Sequence, residues 1–231
     1  MKKGKIYLLP NTLGSEGLGH IIPNEVGEIA SGIRYFAVEE IKSARRLLRK
    51  IDREFPIDDS HFIILNKRTP SEELYGILKH VIEGNDMAII SEAGCPGIAD
   101  PGSSLVALAH QNEVQVCPMT GPSSILLALI GSGFNGQEFT FHGYLPKERK
   151  DRIRKLRELE GNSRKTRMSN IRNMHVLDDM LNELSDDTAL CIASNLTLPS
   201  ENIQTRTVKK WRDHAYNLGK IPVIFIIGKM S

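Results

Sequence analysis

One stretch, from Met87 to Gly102, constrains the fold more than any other part of this 231-residue chain. It begins with four apolar residues, Met87 to Ile90, which follow turn residues at 84–86. A short apolar run bounded by turns is typical of a buried parallel strand. Three glycines, two prolines and two carboxylates follow within twelve residues. Because ligands of open α/β sheets bind beyond the carboxyl ends of strands, the stretch predicts a ligand-binding loop. The alternative is a tight strand-to-helix turn that binds nothing.

Apolar runs alternate with amphipathic segments through the first half of the chain. Strands are expected at 5–9, 34–38, 61–66, 87–90 and 114–118, and helices at 23–31, 39–51, 71–83, 101–112 and 125–130. Strands that alternate with helices predict a parallel, doubly wound sheet. Asp100 and Pro101 are expected to begin the helix 101–112, as its N-cap and its first residue.

The pattern changes after Gly133, where a more exposed strand precedes a highly charged helix. Strands are expected at 138–144, 188–193 and 221–227, and helices at 146–160, 172–184 and 208–216. We therefore predict an α/β fold with two α/β domains. Residues 1–117 form the doubly wound domain, and residues 118–231 form a second α/β domain with antiparallel strands.

Composition excludes several classes of protein. No apolar run reaches the roughly 20 residues that a membrane-spanning helix needs, and the apolar part of the N-terminus is too short for a secretion signal. We therefore expect a cytoplasmic protein. Three cysteines lie far apart, and seven histidines form no metal-ligand spacing. Neither a disulfide framework nor a metal site is expected. A net charge of +2 does not by itself indicate a nucleic-acid partner.

Four motifs in fixed order carry a resemblance to a known family. They are Ser91–Pro96 (SEAGCP), Asp100–Gly102 (DPG), Gly121–Ser123 (GPS) and Gly143–Pro146 (GYLP). Their order and spacing resemble those of the tetrapyrrole-methylase superfamily. The most similar branch is the small-subunit ribosomal RNA cytidine 2′-O-methyltransferases of the methyltransferase I type, which carry S-D-A-G-T-P, D-P-G, P-G-P-S and G-F-L-P there. The resemblance covers almost the whole chain.

The resemblance implies S-adenosylmethionine as methyl donor, bound in a cleft between two α/β domains, and a homodimer. It also implies that three loops bind the donor and that a few residues later in the chain complete the site. By position these are Pro10, Asn11, Thr12, Ser91, Glu92, Ala93, Gly94, Ile98, Gly121, Pro122, Ser123 and Ser124, with Met168, Ala193 and Pro222 from the second domain.

The chemistry of methyl transfer agrees with loops of this kind. A sulfonium is already activated, so holding the acceptor in line with the methyl group is most of the enzyme's task. A ribose hydroxyl would also need a group that takes or orients its proton, and the sequence does not name that catalytic residue. Glu92 is either a loop-capping carboxylate or a ligand contact. Glu40, at the head of a helix, is expected to interact with the helix dipole.

Several positions depart from the branch pattern. Glu92 and Cys95 stand where the branch has Asp and Thr, Asn11–Gly14 where it has T-P-I-G, and Ser194–Asn195 where it has Arg-Glu. Residues 163–170 are polar and basic where the branch has an apolar strand, so that strand is expected to be shortened, lost or replaced by a loop. These departures lie on the substrate side of the expected site.

A basic segment, Lys147–Arg172, has eleven Lys/Arg residues against four Asp/Glu residues. Such a patch suits phosphate binding, or it is a solvated helix face with ion pairs such as Glu148 with Arg152. The sequence thus predicts an S-adenosylmethionine-dependent methyltransferase for RNA, with a ribose 2′-hydroxyl of small-subunit ribosomal RNA as acceptor. A methyltransferase for a small molecule such as a tetrapyrrole, and a non-catalytic S-adenosylmethionine-binding module, are the alternatives.

Overall fold

The computed structural model describes residues 2–163, 168–172, 176–214, 218–219 and 221–228. The chain divides into two units, Met1–Ser123 and Ser124–Ser231. Each unit has its own five-stranded sheet. The predicted α/β fold with two sheets is confirmed.

The first unit contains an all-parallel sheet whose strands are joined by helices. The strands are β1 (Lys5–Leu9), β2 (Tyr35–Val38), β3 (His61–Ile64), β4 (Met87–Ile90) and β5 (Gln115–Pro118). The helices are α1 (Asn24–Gly32), α2 (Ile41–Ile51), α3 (Ser71–Ile82) and α4 (Ser103–Gln111). The strand order is β3-β2-β4-β1-β5, so β4 is the central strand. The boundary predicted after Cys117 falls inside β5.

Alternate side chains of β4 belong to two different hydrophobic cores. Met87 and Ile89 pack with residues of α3 and α4, whereas Ala88 and Ile90 pack with residues of α1 and α2. None of the four is more than 2% exposed. Burial on both faces explains why this strand is apolar throughout, and it confirms the doubly wound arrangement.

The sequence predicted where α2 and α4 begin, and the structure agrees with the prediction for Glu40 in α2 but not for Asp100 and Pro101 in α4. Glu40 is the N-cap of α2, and its carboxylate accepts hydrogen bonds from the backbone N–H groups of Lys42 and Ser43. By contrast, α4 begins only at Ser103, with Gly102 as its cap residue at φ 127°. The prediction that Asp100 and Pro101 begin this helix is wrong, because a left-handed turn at Gly102 separates them from it.

The second unit contains a mixed sheet. Its elements are α5 (Ser124–Ser132), β6 (Phe139–Gly143), α6 (Arg149–Ser163), β7 (Met168–Arg172), α7 (Leu177–Glu183), β8 (Ala189–Ser194), β9 (Asn202–Thr207), α8 (Val208–Arg212) and β10 (Val223–Gly228). The strand order is β6-β7-β10-β8-β9. Only the β6–β7 pair is parallel among the described pairs, which confirms the expected antiparallel strands.

Two strands of the second unit differ from the sequence-based expectation. β7 keeps five residues and pairs with β6 on one side and β10 on the other, although its sequence is polar. Residues 164–167, which belong to the segment 163–170 that departs from the branch pattern, lie outside the described residues. β9 was not predicted, because its sequence NIQTRT contains a single large apolar residue and the strand lies at the edge of the sheet.

Trp211 lies in the core of the second unit. It is 1% exposed and packs among residues of α6, α7, β8 and β10. Its Nε1 donates a hydrogen bond to the carbonyl of Leu190 at 2.8 Å.

Within the described part of the chain, no helix is both long enough and apolar enough to cross a lipid bilayer.

Asp179 of α7 joins α6 to α7 through two arginines. It accepts hydrogen bonds from Arg149 Nε at 3.0 Å and Arg152 Nε at 2.7 Å, and its side chain is 9% exposed. Burial alone raises the pKa of Asp179, but the hydrogen bonds and charges of Arg152 and Arg149 outweigh it and hold that pKa below its usual range.

We expect Asp179→Asn to lower the free energy of unfolding at pH 7 by about 2 kcal/mol, because two guanidinium groups lose their anionic partner. A lowered carboxyl pKa stabilises the fold above the pKa of the unfolded state, and this stabilisation is lost as pH falls through the lowered pKa. The difference from the unaltered protein, measured by urea unfolding, should therefore shrink in acid. Asp178→Asn, on the exposed neighbour, is the control. A difference that does not depend on pH would contradict the assignment.

Candidate functional site

The loops that follow β1 and β4 are joined at the carboxyl edge of the first unit's sheet. Asn11 and Gly94 form a two-way backbone bridge, with N–H to O distances of 2.9 Å from Asn11 and 3.1 Å from Gly94. The loop after β5 lies against the same point, because Cys95 Sγ is 3.5 Å from the carbonyl oxygen of Pro122. We call residues 10–12, 91–98 and 119–123 the carboxyl-edge loops.

The Asn11 side chain holds the loop after β4 in place. Its Nδ2 donates to the carbonyls of Glu92 at 2.9 Å and Ser91 at 3.2 Å, and its Oδ1 accepts from the backbone N–H of Thr12 at 2.8 Å. Asn11 is 6% exposed. Its polar groups are thus satisfied inside the protein, so this side chain fixes the shape of the site.

Two predicted site glycines allow the loops to pass close to one another. Gly94 has φ 73°, and a Cβ there would lie 3.1 Å from the carbonyl oxygen of Pro122. A Cβ on Gly121 would lie 2.1 Å from Cβ of Pro10, which no packing tolerates. Both glycines are therefore required by contacts between loops, whereas the sequence had suggested close approach to a ligand.

The structure brings most of the predicted first-unit residues together. Pro10 to Thr12 are buried, and Ser91 is also buried, with its Oγ 3.1 Å from the carbonyl of Gly94. Ala93 and Ser123 are half-buried. Ile98 is 45% exposed in the loop before α4.

The predicted residues of the second unit fall at different places. Ser124 begins α5. Ala193 pairs with Ile224, and the carbonyl of Pro222 accepts from the N–H of Asn195, so these two residues lie at one end of their sheet. Met168 is at the opposite end, because β7 runs antiparallel to β10 and brings Arg172, not Met168, to the level of Ile224. The structure therefore separates Met168 from Ala193 and Pro222.

Three carboxylates interact electrostatically at the carboxyl edge of the first unit's sheet. Glu39 follows β2, and its N–H donates to the carbonyl of Ile90 at 3.4 Å. The Glu39 carboxylate accepts from the N–H of Glu92, and it lies within electrostatic reach of Asp100, Glu92 and the Lys67 ammonium. We call Glu39, Glu92 and Asp100 the acid cluster.

The environment of Glu39 raises the pKa of its carboxyl group above the ordinary value. Partial burial raises the pKa of Glu39, and the charges of Asp100 and Glu92 raise it further. The hydrogen bond from the Glu92 N–H and the charge of Lys67 lower it, but the pKa remains above its ordinary value. A carboxyl group with a raised pKa in a cleft is a candidate for proton transfer.

A pocket of about 370 Å³ lies beside the acid cluster within the first unit. It is formed by the loop between β3 and α3 and by residues 97–104. Lys67 and Asp100 both line it, and Lys67 Nζ donates to the carbonyl of Ala99 at 2.8 Å. Its volume lies within the range of pockets that hold small ligands.

Sequence reasoning did not assign Glu39, Lys67 or Asp100 to the site. Their placement depends on β3, β2 and β4 being neighbours in that order, which the linear sequence does not give. One indication was available, because Glu39–Lys42 (EEIK) stands where the branch that this chain resembles has an E-D-T-R motif followed by a helix.

The basic helix α6 is largely neutralised by acids. Arg149 and Arg152 bind Asp179, and Arg157 Nη2 lies 2.8 Å from Glu183 of α7. Further pairs lie within the helix, namely Arg154 with Asp151 and Lys155 with Glu158. Ion pairs thus occur on this helix, as expected, but they are not the i,i+4 pairs that the sequence suggested, such as Glu148 with Arg152.

Among the described residues, no group of three or more His, Cys, Asp or Glu residues could hold a metal ion.

Solved structures share this fold over nearly the whole chain. The methyltransferase CobJ has a TM-score of 0.65 at 16% identity and covers 98% of this chain and 94% of its own. A Thermus thermophilus uroporphyrin-III C-methyltransferase, complexed with S-adenosyl homocysteine, has a TM-score of 0.55 at 12% identity and covers 98% of both chains. The fold is that of the tetrapyrrole methylases.

Sequence relatives define the family more closely. A protein of Vibrio cholerae named ribosomal RNA small subunit methyltransferase I is 32% identical over 201 residues, covering 86% of this chain and 67% of its own length. A protein of the same name from Haemophilus influenzae is 30% identical, covering 91% and 72%. No protein-family profile matches the chain. The chain belongs to the ribosomal RNA small subunit methyltransferase I family of S-adenosylmethionine-dependent methyltransferases, as the motifs indicated.

We expect Gly121→Ala to weaken binding of S-adenosylhomocysteine roughly tenfold or more. The added Cβ would meet Pro10 Cβ at 2.1 Å, about 1.5 Å closer than ordinary carbon contact, so the loop after β5 must move away from the loop after β1. Isothermal titration calorimetry measures the affinity, and near-ultraviolet circular dichroism verifies that the variant is folded.

Gly32→Ala is the matched control for this substitution. Gly32 ends α1, and a Cβ there would meet nothing within 4 Å. Its affinity should equal that of the unaltered protein. If Gly121→Ala also binds with unaltered affinity, the loop after β5 does not take part in the donor site.

Proposed function

We propose that this chain transfers the methyl group of S-adenosylmethionine to a ribose 2′-hydroxyl of small-subunit ribosomal RNA. The observation that carries the proposal is the similarity to relatives named ribosomal RNA small subunit methyltransferase I, which extends over 86% and 91% of the chain. The motifs at the carboxyl-edge loops and the tetrapyrrole methylase fold support the same reaction class.

The carboxyl-edge loops have the chemistry that this donor requires. They offer backbone groups and small side chains at Ala93 and Ser123, so a ligand can approach the main chain closely. The acid cluster complements the positive charge of a sulfonium. When bound, S-adenosylmethionine supplies an activated methyl group. We assign donor binding to Pro10–Thr12, Ser91–Ile98 and Gly121–Ser123, while contacts from Ser124, Met168, Ala193 and Pro222 stay predictions.

The acceptor is the part of the proposal that rests on the relatives' names. A small-molecule acceptor is the second candidate, and the pairing of the α6 arginines with acids favours it, because paired arginines attract phosphate less strongly. The two candidates differ in charge. An RNA acceptor is a polyanion, whereas a small acceptor has few charges.

The assembly is also a proposal. We propose a homodimer, as the resemblance implies, and we note that α5 exposes two large apolar side chains, Leu126 at 46% and Ile130 at 78%. Sedimentation velocity at micromolar concentration measures the mass directly.

We expect cells that lack the gene to lose one 2′-O-methylated nucleoside from small-subunit ribosomal RNA. Mass spectrometry of nucleosides from purified RNA measures it. Purified protein with S-adenosylmethionine should restore the modification on subunits from these cells, and the Gly32→Ala variant should restore it equally. An unchanged nucleoside profile in cells that lack the gene would exclude this acceptor.

We expect kcat/KM for an RNA acceptor to fall steeply with salt, because each phosphate contact releases counterions. A plot of log kcat/KM against log salt concentration should have a negative slope, of about −0.7 to −0.9 for each phosphate contact. Binding of S-adenosylhomocysteine, measured in the same buffers, is the control for general salt effects. A flat plot would favour a small, weakly charged acceptor.

A further inference from the structure

Glu39 connects two parts of the first unit that the proposed reaction needs. On one side, its carboxylate accepts a hydrogen bond from the N–H of Glu92, whose carbonyl is held by the Asn11 side chain in the carboxyl-edge loops. On the other side, it interacts with Asp100 and Lys67, which line the 370 Å³ pocket. The strand order agrees with this, because β2, which Glu39 follows, lies between β3 and β4. Glu39 therefore lies between the loop that carries Lys67 and the loop that carries Glu92.

We propose that Glu39 is the general base that takes the proton of the acceptor hydroxyl, and that the acceptor nucleoside approaches it from the pocket lined by Lys67 and Asp100. This inference rests on the proposed function, since it requires an acceptor that has an O–H group. The family comparison assigns no such role to any residue of this chain.

The step balances as a single displacement with one proton transfer. The acceptor oxygen forms a bond to the methyl carbon while the sulfur–carbon bond breaks, and the sulfur keeps that electron pair. The hydroxyl proton passes to a carboxylate oxygen of Glu39. The products are a methyl ether and S-adenosylhomocysteine, and Glu39 then loses its proton to water, so no other reactant is needed.

The position of Glu39 costs stability, which argues for a functional role. Because partial burial, and after it the charges of Asp100 and Glu92, raise the pKa of Glu39, the folded state holds the Glu39 proton more tightly than the unfolded chain does. Folding stability therefore falls as pH rises from the unfolded pKa through the raised pKa. The adjacent Glu40 is different, because it caps α2. Carboxylates that repel one another persist where their chemistry is used.

The matched pair Glu39→Gln and Glu40→Gln separates catalysis from folding. Glu39→Gln keeps the shape of the side chain but cannot accept a proton, so kcat should fall by roughly 10²–10⁴-fold while affinity for S-adenosylhomocysteine and KM for the acceptor change little. The remaining rate should rise with pH, because hydroxide replaces the missing base. Glu40→Gln should lower the melting temperature and leave kcat within about twofold, since a helix cap affects folding.

A second readout does not depend on turnover. The carboxyl carbon of Glu39, labelled with carbon-13 and assigned by its absence in Glu39→Gln, should titrate above the ordinary glutamate range. Asp100→Asn removes a like charge and should move this titration to lower pH, whereas Lys67→Met removes an opposite charge and should move it to higher pH. The acid limb of the kcat profile should move in the same two directions.

The outcomes distinguish this inference from the proposed function. If the unaltered protein does not methylate the RNA, the proposed function fails, whatever the Glu39 titration shows. If the unaltered protein methylates the RNA and Glu39→Gln retains its kcat, the inference fails and the function stands. An ordinary Glu39 titration that neither Asp100→Asn nor Lys67→Met moves would also overturn it.

Discussion

The two-way backbone bridge between Asn11 and Gly94 is the contact on which the carboxyl edge of the first sheet depends. Parallel strands end at the same edge, but nothing in a parallel ladder joins the loops that leave it. Here a pair of hydrogen bonds at 2.9 and 3.1 Å joins them, and the Asn11 side-chain amide adds two more to the same loop after β4. Because these groups are buried, breaking one leaves its partner unsatisfied. The loops therefore keep their shape without a ligand, which lowers the entropic cost of binding one.

The junction between β2 and α2 assigns two consecutive glutamates to different tasks. Glu40 lies in the extended conformation with φ −140° and turns its carboxylate onto the first helical amides. Glu39, one residue earlier, has its backbone hydrogen-bonded to β4 and its carboxylate among like charges. Alternation of side chains in extended backbone explains how neighbours reach opposite surroundings. Helix capping and acid–base chemistry therefore coexist within one dipeptide.

The sequence predicted the fold class and most elements, because their apolar periodicity is strong. β4 and α2 are examples, with bounds within two residues of those predicted. β9 was not predicted, because an edge strand needs few apolar residues. The polar sequence of β7 indicated a shortened or lost strand, but its backbone pairs with strands on both sides, and this pairing does not depend on the side chains. Within the site, the resemblance to the tetrapyrrole methylases implied that Asn11, Ser91 and Gly94 belong together. It could not show Glu39 beside Asp100, because that contact depends on strand order.

The position of β1 in its sheet has a consequence for biosynthesis. β1 lies between β4 and β5, and Lys5 pairs with Gln115, about 110 residues later in the chain. At the usual 5–20 residues per second, a ribosome needs roughly 5–20 seconds to supply that partner. During this time β1 lacks its second neighbour, so one edge of the strand has unpaired backbone N–H and C=O groups. The nascent first unit therefore exposes an edge of the kind that promotes aggregation until the fifth strand emerges.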